Sequence, residues 1–185
     1  MRSLRYWGSL LAILAILLDA TTRGAVALTP GGSVTSSVTP SNATPGTGEQ
    51  ILVSIYVDMS GASAPDDRLG AFSGALGWNP AVLAYHSNSG LLSGFTGAVN
   101  ASGTATGSIL FNGVNVSGAT GNVLVFQVTF EVIGTGASIL DLNYTSMSAA
   151  LTYANLGPIL TVTDGEVVAT RPGYSIYLPR VNRKH

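Results

Sequence analysis

Residue types that act as nucleophiles, metal ligands or general acids are sparse in this sequence. It has no cysteine and two histidines, His86 and His185. Without a thiolate there is neither a cysteine nucleophile nor a sulfur ligand. His86 lies in a Ser/Asn/Gly stretch and His185 ends the chain, and neither has a second ligand at zinc spacing. A serine triad would need His86 to be oriented by a carboxylate, and nothing in the sequence places one there. A glycosidase would use two carboxylates flanking one bond. The acids here fall mostly in loops or at outward strand positions, where a solvated charge is the ordinary reading. Asp66 and Asp67, with Asp58 nearby, are hard oxygen ligands of the type calcium takes, but they lack the ordered spacing of a calcium loop. The expectation is therefore a protein that is not an enzyme and has no cofactor or metal centre, with these three aspartates as the one place calcium could bind. Asn42, Asn100, Asn115 and Asn143 each begin an Asn-x-Ser/Thr glycosylation acceptor pattern.

The elements that would position any site are strands. From Phe72 to Trp78, Phe72, Gly74, Leu76 and Trp78 share one face, while Ser73, Ala75 and Gly77 share the other. Asn79-Pro80 ends this strand, because Pro80 has no amide hydrogen and pushes Asn79 out of the helical region. Val82 to Tyr85 begins a second extended piece. Gln50 to Met59 alternates, with Ile51, Val53, Ile55 and Val57 on one side. Val123 to Ile133 does the same with Val128, Phe130 and Val132. The large run Leu124-Val125-Phe126 predicts a bulge that shifts its phase. Strands are also expected over Val34–Thr39, Phe95–Ala101, Ser108–Val116, Ile139–Tyr144 and Leu160–Ala169. His86–Leu92 and Ser117–Asn122 read as turns, and Ser146–Gly157 as a short helical turn or irregular excursion. Eight or nine strands without an amphipathic helix predict an antiparallel β-sandwich.

The chain has 185 residues, of which 46% are hydrophobic and only 9% charged. Arg2 and Arg5 precede an apolar run from Trp7 to Leu18, and Ala25-Val26-Ala27 follows as a small-x-small cleavage pattern. Residues 1–27 therefore read as a secretory signal peptide, since the run is too short to span a bilayer. No membrane span is expected after cleavage. Residues 28–33 read as a linker, 34–170 as one domain and 171–185 as a basic tail. Export without cysteine leaves packing of the β core to hold the fold. Between Leu28 and Thr170 eight acids stand against Arg68 alone, which argues against nucleic acid as a partner. Arg171, Arg180, Arg183 and Lys184 make the tail a separate, basic object.

Trp78-Asn-Pro-Ala-Val-Leu83 resembles the aromatic-Asp/Asn-Pro-x-Val-Leu corner of cohesin domains, the modules that bind dockerins in cellulosome scaffolds. Ile51-Leu-Val-Ser-Ile-Tyr-Val57, Gly107-Ser-Ile-Leu-Phe111, Val125-Phe-Gln-Val-Thr-Phe-Glu-Val132 and Thr163-Asp-Gly-Glu-Val167 resemble further strands of that family in order. The resemblance covers roughly Val34 to Ala169. It implies a nine-stranded antiparallel jelly-roll β-sandwich without catalysis. It also implies a partner-binding face on the outward side of one sheet, carried over here to Ser73, Ala75, Leu110, Asn112, Gln127 and Thr129.

The expected protein is a secreted, extracellular binding module associated with the cell surface. Its partner would be a dockerin-like or cell-surface protein, in the setting of extracellular polysaccharide degradation. The alternative is a carbohydrate-binding module of the same architecture, which would hold polysaccharide on a row of exposed rings. Its candidates are Tyr56, Tyr85, Tyr144 and Tyr153.

Overall fold

The computed structural model describes residues 30–171. The signal peptide at 1–27 and the tail beyond Arg171 lie outside the described residues. Ten strands follow one another. They are β1 (Val34–Pro40), β2 (Gln50–Asp58), β3 (Leu69–Gly77), β4 (Leu83–Leu91), β5 (Thr96–Asn100), β6 (Ser108–Ala119), β7 (Asn122–Val132), β8 (Gly136–Ala149), β9 (Leu160–Thr163) and β10 (Gly165–Ala169). They form two five-stranded sheets, in the orders β4-β7-β2-β1-β9 and β10-β8-β3-β6-β5. Among the described residues, no helix is long and apolar enough to cross a membrane.

Period-two alternation buries one side of each sheet against the other. Val53, Ile55, Val128 and Phe130 come from the first sheet and Phe72, Leu76, Ile109 and Phe111 from the second. Rings meet across the interface: Phe111 stacks on Phe126 at 5.3 Å, and Trp78 meets Phe130 edge-on at 4.8 Å. The expected bulge is present. Ile55 pairs with Phe126 but Tyr56 pairs with Leu124, so Val125 is the extra residue, and Val125 and Phe126 are both buried.

The sequence reading differs from the fold in several places. Ser117–Asn122, read as a turn, contributes Ser117–Ala119 to β6 and Asn122 to β7, and only residues 120–121 connect them. His86–Leu91 belongs to β4, an edge strand, rather than to a turn. Its Ser, Asn and Gly residues read as turn chemistry because they do bond locally: Asn88 Oδ1 accepts from the Gly90 amide. The register slips between Tyr85 and Ser87 and again between Asn88 and Leu91, an irregularity typical of edges that resist further pairing. Ser146–Ala149 is strand, because β3 supplies partners as far as Ala149, and the 3-10 turn that follows begins at Gly157 and runs to Ile159. Leu160–Ala169 is two strands in different sheets, broken at Asp164, whose Oδ1 accepts from the Leu142 amide. This division raises the strand count to ten. Finally, one pairing is parallel: β9 starts at the same end of the sandwich as β1 and runs alongside it.

The ends of the domain are fastened to loops. Pro30 is buried, the Ser33 amide donates to Gly61 O and the Ser63 amide donates to Gly31 O, so residues 31–33, expected as linker, are hydrogen-bonded to a loop. At the opposite end the amides of Val168 and Thr170 donate to Ala43 O and Pro45 O, covering the free edge of β10.

Candidate functional site

The Asn-Pro corner is held by its own polar atoms. Asn79 Oδ1 accepts from the Ala81 amide, and Asn79 O accepts from the amides of Val82 and Leu83. Trp78 is 7% exposed and its Nε1 donates to Leu83 O at 3.0 Å. Gly107, with φ of 78°, receives the corner from the other side. A Cβ there would stand 2.3 Å from Trp78 O, so this position needs glycine. The corner carries the chain from β3 in one sheet to β4 in the other.

Fixing β3 in this way exposes a run of small side chains. Ala71, Ser73, Ala75 and Gly77 form the outward side of the central strand of the β10-β8-β3-β6-β5 sheet. On β6, Val114 stands beside Ala71, Asn112 beside Ser73 and Leu110 beside Ala75. On β8, Ser148, Ser146 and Asn143 flank the same three residues. The result is a shallow trough along β3. A hollow of about 170 Å³ lies over it, lined by Ala71, Ser73, Asn112, Val114, Ser146 and Ser148. Leu110 rises from its wall 51% exposed.

Four of the six residues expected on the binding face are therefore together: Ser73, Ala75, Leu110 and Asn112. The other two are not. Gln127 and Thr129 lie on β7, between β4 and β2 in the opposite sheet, where Gln127 Nε2 donates to Ser54 Oγ and Thr129 faces Leu52. Alternation tells which residues of a strand point outward but not which sheet the strand joins. The β8 residues Asn143, Ser146 and Ser148 were missed for the same reason, since their pairing with β3 spans much of the chain. The outward position of Asn143 was visible in the alternation after Ile139.

The calcium expectation finds no support in geometry. Among the described residues, no three His, Cys, Asp or Glu side chains stand close enough to hold a metal ion. Asp66 is buried and accepts from Thr152 Oγ1. Asp58 accepts from Ser60, whose hydroxyl and amide hold its carboxyl below the ordinary range.

The four tyrosines do not form a row. Tyr56 and Tyr85 are half-buried on β2 and β4 of the sheet opposite the trough. Tyr144 turns into the core, edge-on to Phe111, with its hydroxyl 3.0 Å from Ser36 Oγ. Burial pushes its pKa up to about 12, against a smaller lowering by Ser36. Tyr153 alone is fully presented, on the turn after β8.

Solved structures share this arrangement of strands. A non-cellulosomal cohesin from the archaeon Archaeoglobus fulgidus superposes with a TM-score of 0.60 at 15% identity, covering 75% of this chain and 91% of its own. The chain has the cohesin fold. The seventh ScaB type I cohesin from Pseudobacteroides cellulosolvens gives 0.59 at 15% identity, over 83% of this chain and 99% of that one. The cohesin OlpA of Clostridium thermocellum, solved in complex with a dockerin, gives 0.57 at 10% identity, over 74% and 99%. No family model matches the sequence, nor does any curated protein. At these identities the cohesin likeness is one of fold.

Proposed function

We propose that this protein is a non-catalytic, cohesin-like module that docks a dockerin-like protein through the outer face of the β10-β8-β3-β6-β5 sheet, centred on Ser73, Ala75, Leu110 and Asn112. The observation that carries the reading is the trough along β3. Its floor has no side chain larger than serine, so a partner can approach the backbone closely, and Leu110 beside Ala75 offers an apolar anchor. Burying its exposed side chain against a partner would remove apolar surface from water at the middle of the face. The signal-peptide pattern at 1–27 supports secretion, and the basic residues from Arg171 onward support a separate attachment to an anionic surface. Extracellular assembly beside polysaccharide-degrading proteins follows from that reading.

The test is Leu110→Asp. Leu110 is half in solvent, so the melting temperature should hold within a degree or two. Binding to a dockerin panel, measured by calorimetry, should fall at least a hundredfold, as a desolvated charge at an interface centre requires. Unchanged binding would place the partner elsewhere.

A further inference from the structure

We propose that the docking face is polarised along β3: its end at Tyr153 takes an apolar side chain of a helical partner segment, and its end at Asp141 and Glu166 takes a basic one. This deepens the docking reading above and rests on it. The five strands of the sheet carry only two charged residues, Asp141 and Glu166. Both point outward and both are exposed. Asp141 stands beside Gly77, and Glu166 stands beside the exposed Ile139, two residues before Asp141 on β8. Both carboxylates therefore lie toward one end of the trough.

The other end is apolar. Val114 is 53% exposed, Val116 84% and Tyr153 83%. They surround a second hollow of about 50 Å³ that includes Ala71 and Ser148 and so continues the larger one. Arg68, just before β3, lies at this end, with Nη1 3.5 Å from Ser117 O, and its charge disfavours a basic partner group there.

Tyr153 is held in place rather than left loose. It takes a left-handed backbone, φ 58°, which an aromatic residue rarely adopts unless its surroundings impose it. The turn around it is fastened at several points. The buried Asp66 accepts from Thr152 Oγ1, Thr152 Oγ1 accepts from the Ala154 amide, and Ala154 O accepts from the Ala149 amide. A strained, clamped turn that presents a ring to solvent over an apolar hollow is a preorganised contact.

Dimensions suit a helix. The axes of β6 and β8 stand two strand spacings apart, about 10 Å, so a helix of about that width can rest over the trough and lower side chains toward β3. From Ala71 to Gly77 the trough runs about 20 Å, the rise of about 13 helical residues. The partner segment should thus carry Leu, Ile or Phe at one end and Lys or Arg about 13 residues away.

A displayed library of two-helix, dockerin-sized domains, selected on the full chain, supplies the probe. Selected domains should lose binding to Leu110→Asp and weaken at least tenfold against Tyr153→Asn. They should weaken several-fold against the Asp141→Asn/Glu166→Gln pair, and should show the apolar–basic spacing in their sequences. Asn tolerates the left-handed backbone, so the Tyr153→Asn fold should persist. Val116→Ser removes another wall without touching the turn and should weaken binding in the same direction. Domains that need Leu110 but ignore Tyr153, Val116 and the two acids overturn the polarity and leave the docking face standing. Domains indifferent to Leu110→Asp overturn both.

Discussion

Trp78 and Tyr144 each bring a polar atom into the core, and each finds one partner. Trp78 Nε1 donates to Leu83 O, so the indole both fills the core against Phe130 and closes the Asn-Pro corner. Trp78→Ala should cost about 3–5 kcal/mol, read as a shift in the urea midpoint, because an aromatic core truncation leaves a cavity. Tyr144 shares a hydrogen bond with Ser36, whose Oγ also donates to Tyr56 O, linking the two sheets through the core. Its titration makes a signed prediction. The phenol ionises near 10 when unfolded and near 12 when folded. Below pH 10 both states are protonated and the group adds no pH dependence. Above pH 10 the unfolded chain loses the proton first, so stability is lost as pH rises toward 12. The full loss is about 3 kcal/mol. Tyr144→Phe should flatten the decline in denaturant midpoint between pH 9.5 and 11.5 relative to the parent. An identical slope in both proteins would count against a buried phenol.

Among the strands, β3 depends on Gly74 as well as on the buried Phe72 and Leu76. A Cβ at Gly74 would meet Asn143 O at 2.7 Å, Phe111 Cζ at 3.0 Å and Tyr144 Cδ1 at 3.1 Å, at the point where β3 and β8 shift register. Valine is ordinarily favoured over glycine in a strand. Here Gly74→Val should instead destabilise by about 1–3 kcal/mol through overpacking, and should broaden NMR signals of β8 residues around Asn143. A rise in melting temperature would mean that the sheets part more easily than this packing implies. The β7 bulge was visible beforehand because three large residues in a row cannot all obey period two. The strand character of His86–Leu91 was not, because an edge strand tolerates the composition of a turn.

At the scale of the molecule, residues 31–33 are held at Gly61–Ser63, and Thr170 is held at the opposite end of the sandwich, where its carbonyl accepts from the Thr47 amide. Deleting residues 171–185 should leave the melting temperature within about two degrees, since Arg171 is exposed and the edge of β10 is already bonded to Ala43 and Pro45. If the tail attaches the protein to an anionic surface, the same deletion should move it from the cell-associated fraction to the medium. A large loss of stability would show that residues beyond Thr170 complete the fold.

The sequence by itself determined which residues of β2, β3 and the second half of β7 turn inward, the corner at Asn79-Pro80, a bulge within Leu124–Phe126 and the sandwich class. These rest on local sterics and on the period of two, which neighbouring residues carry between them. It also marked Ser73, Ala75, Leu110 and Asn112 as outward. Tertiary structure alone decided that Gln127 and Thr129 belong to the opposite sheet, that β8 walls the trough, and that Leu160–Ala169 divides between sheets at Asp164. It also decided that Tyr144 packs half-buried against the core while Tyr153 is displayed. Strand order is set by pairings between residues far apart in the chain, each selected by how the whole core packs, and no single stretch of sequence contains that information.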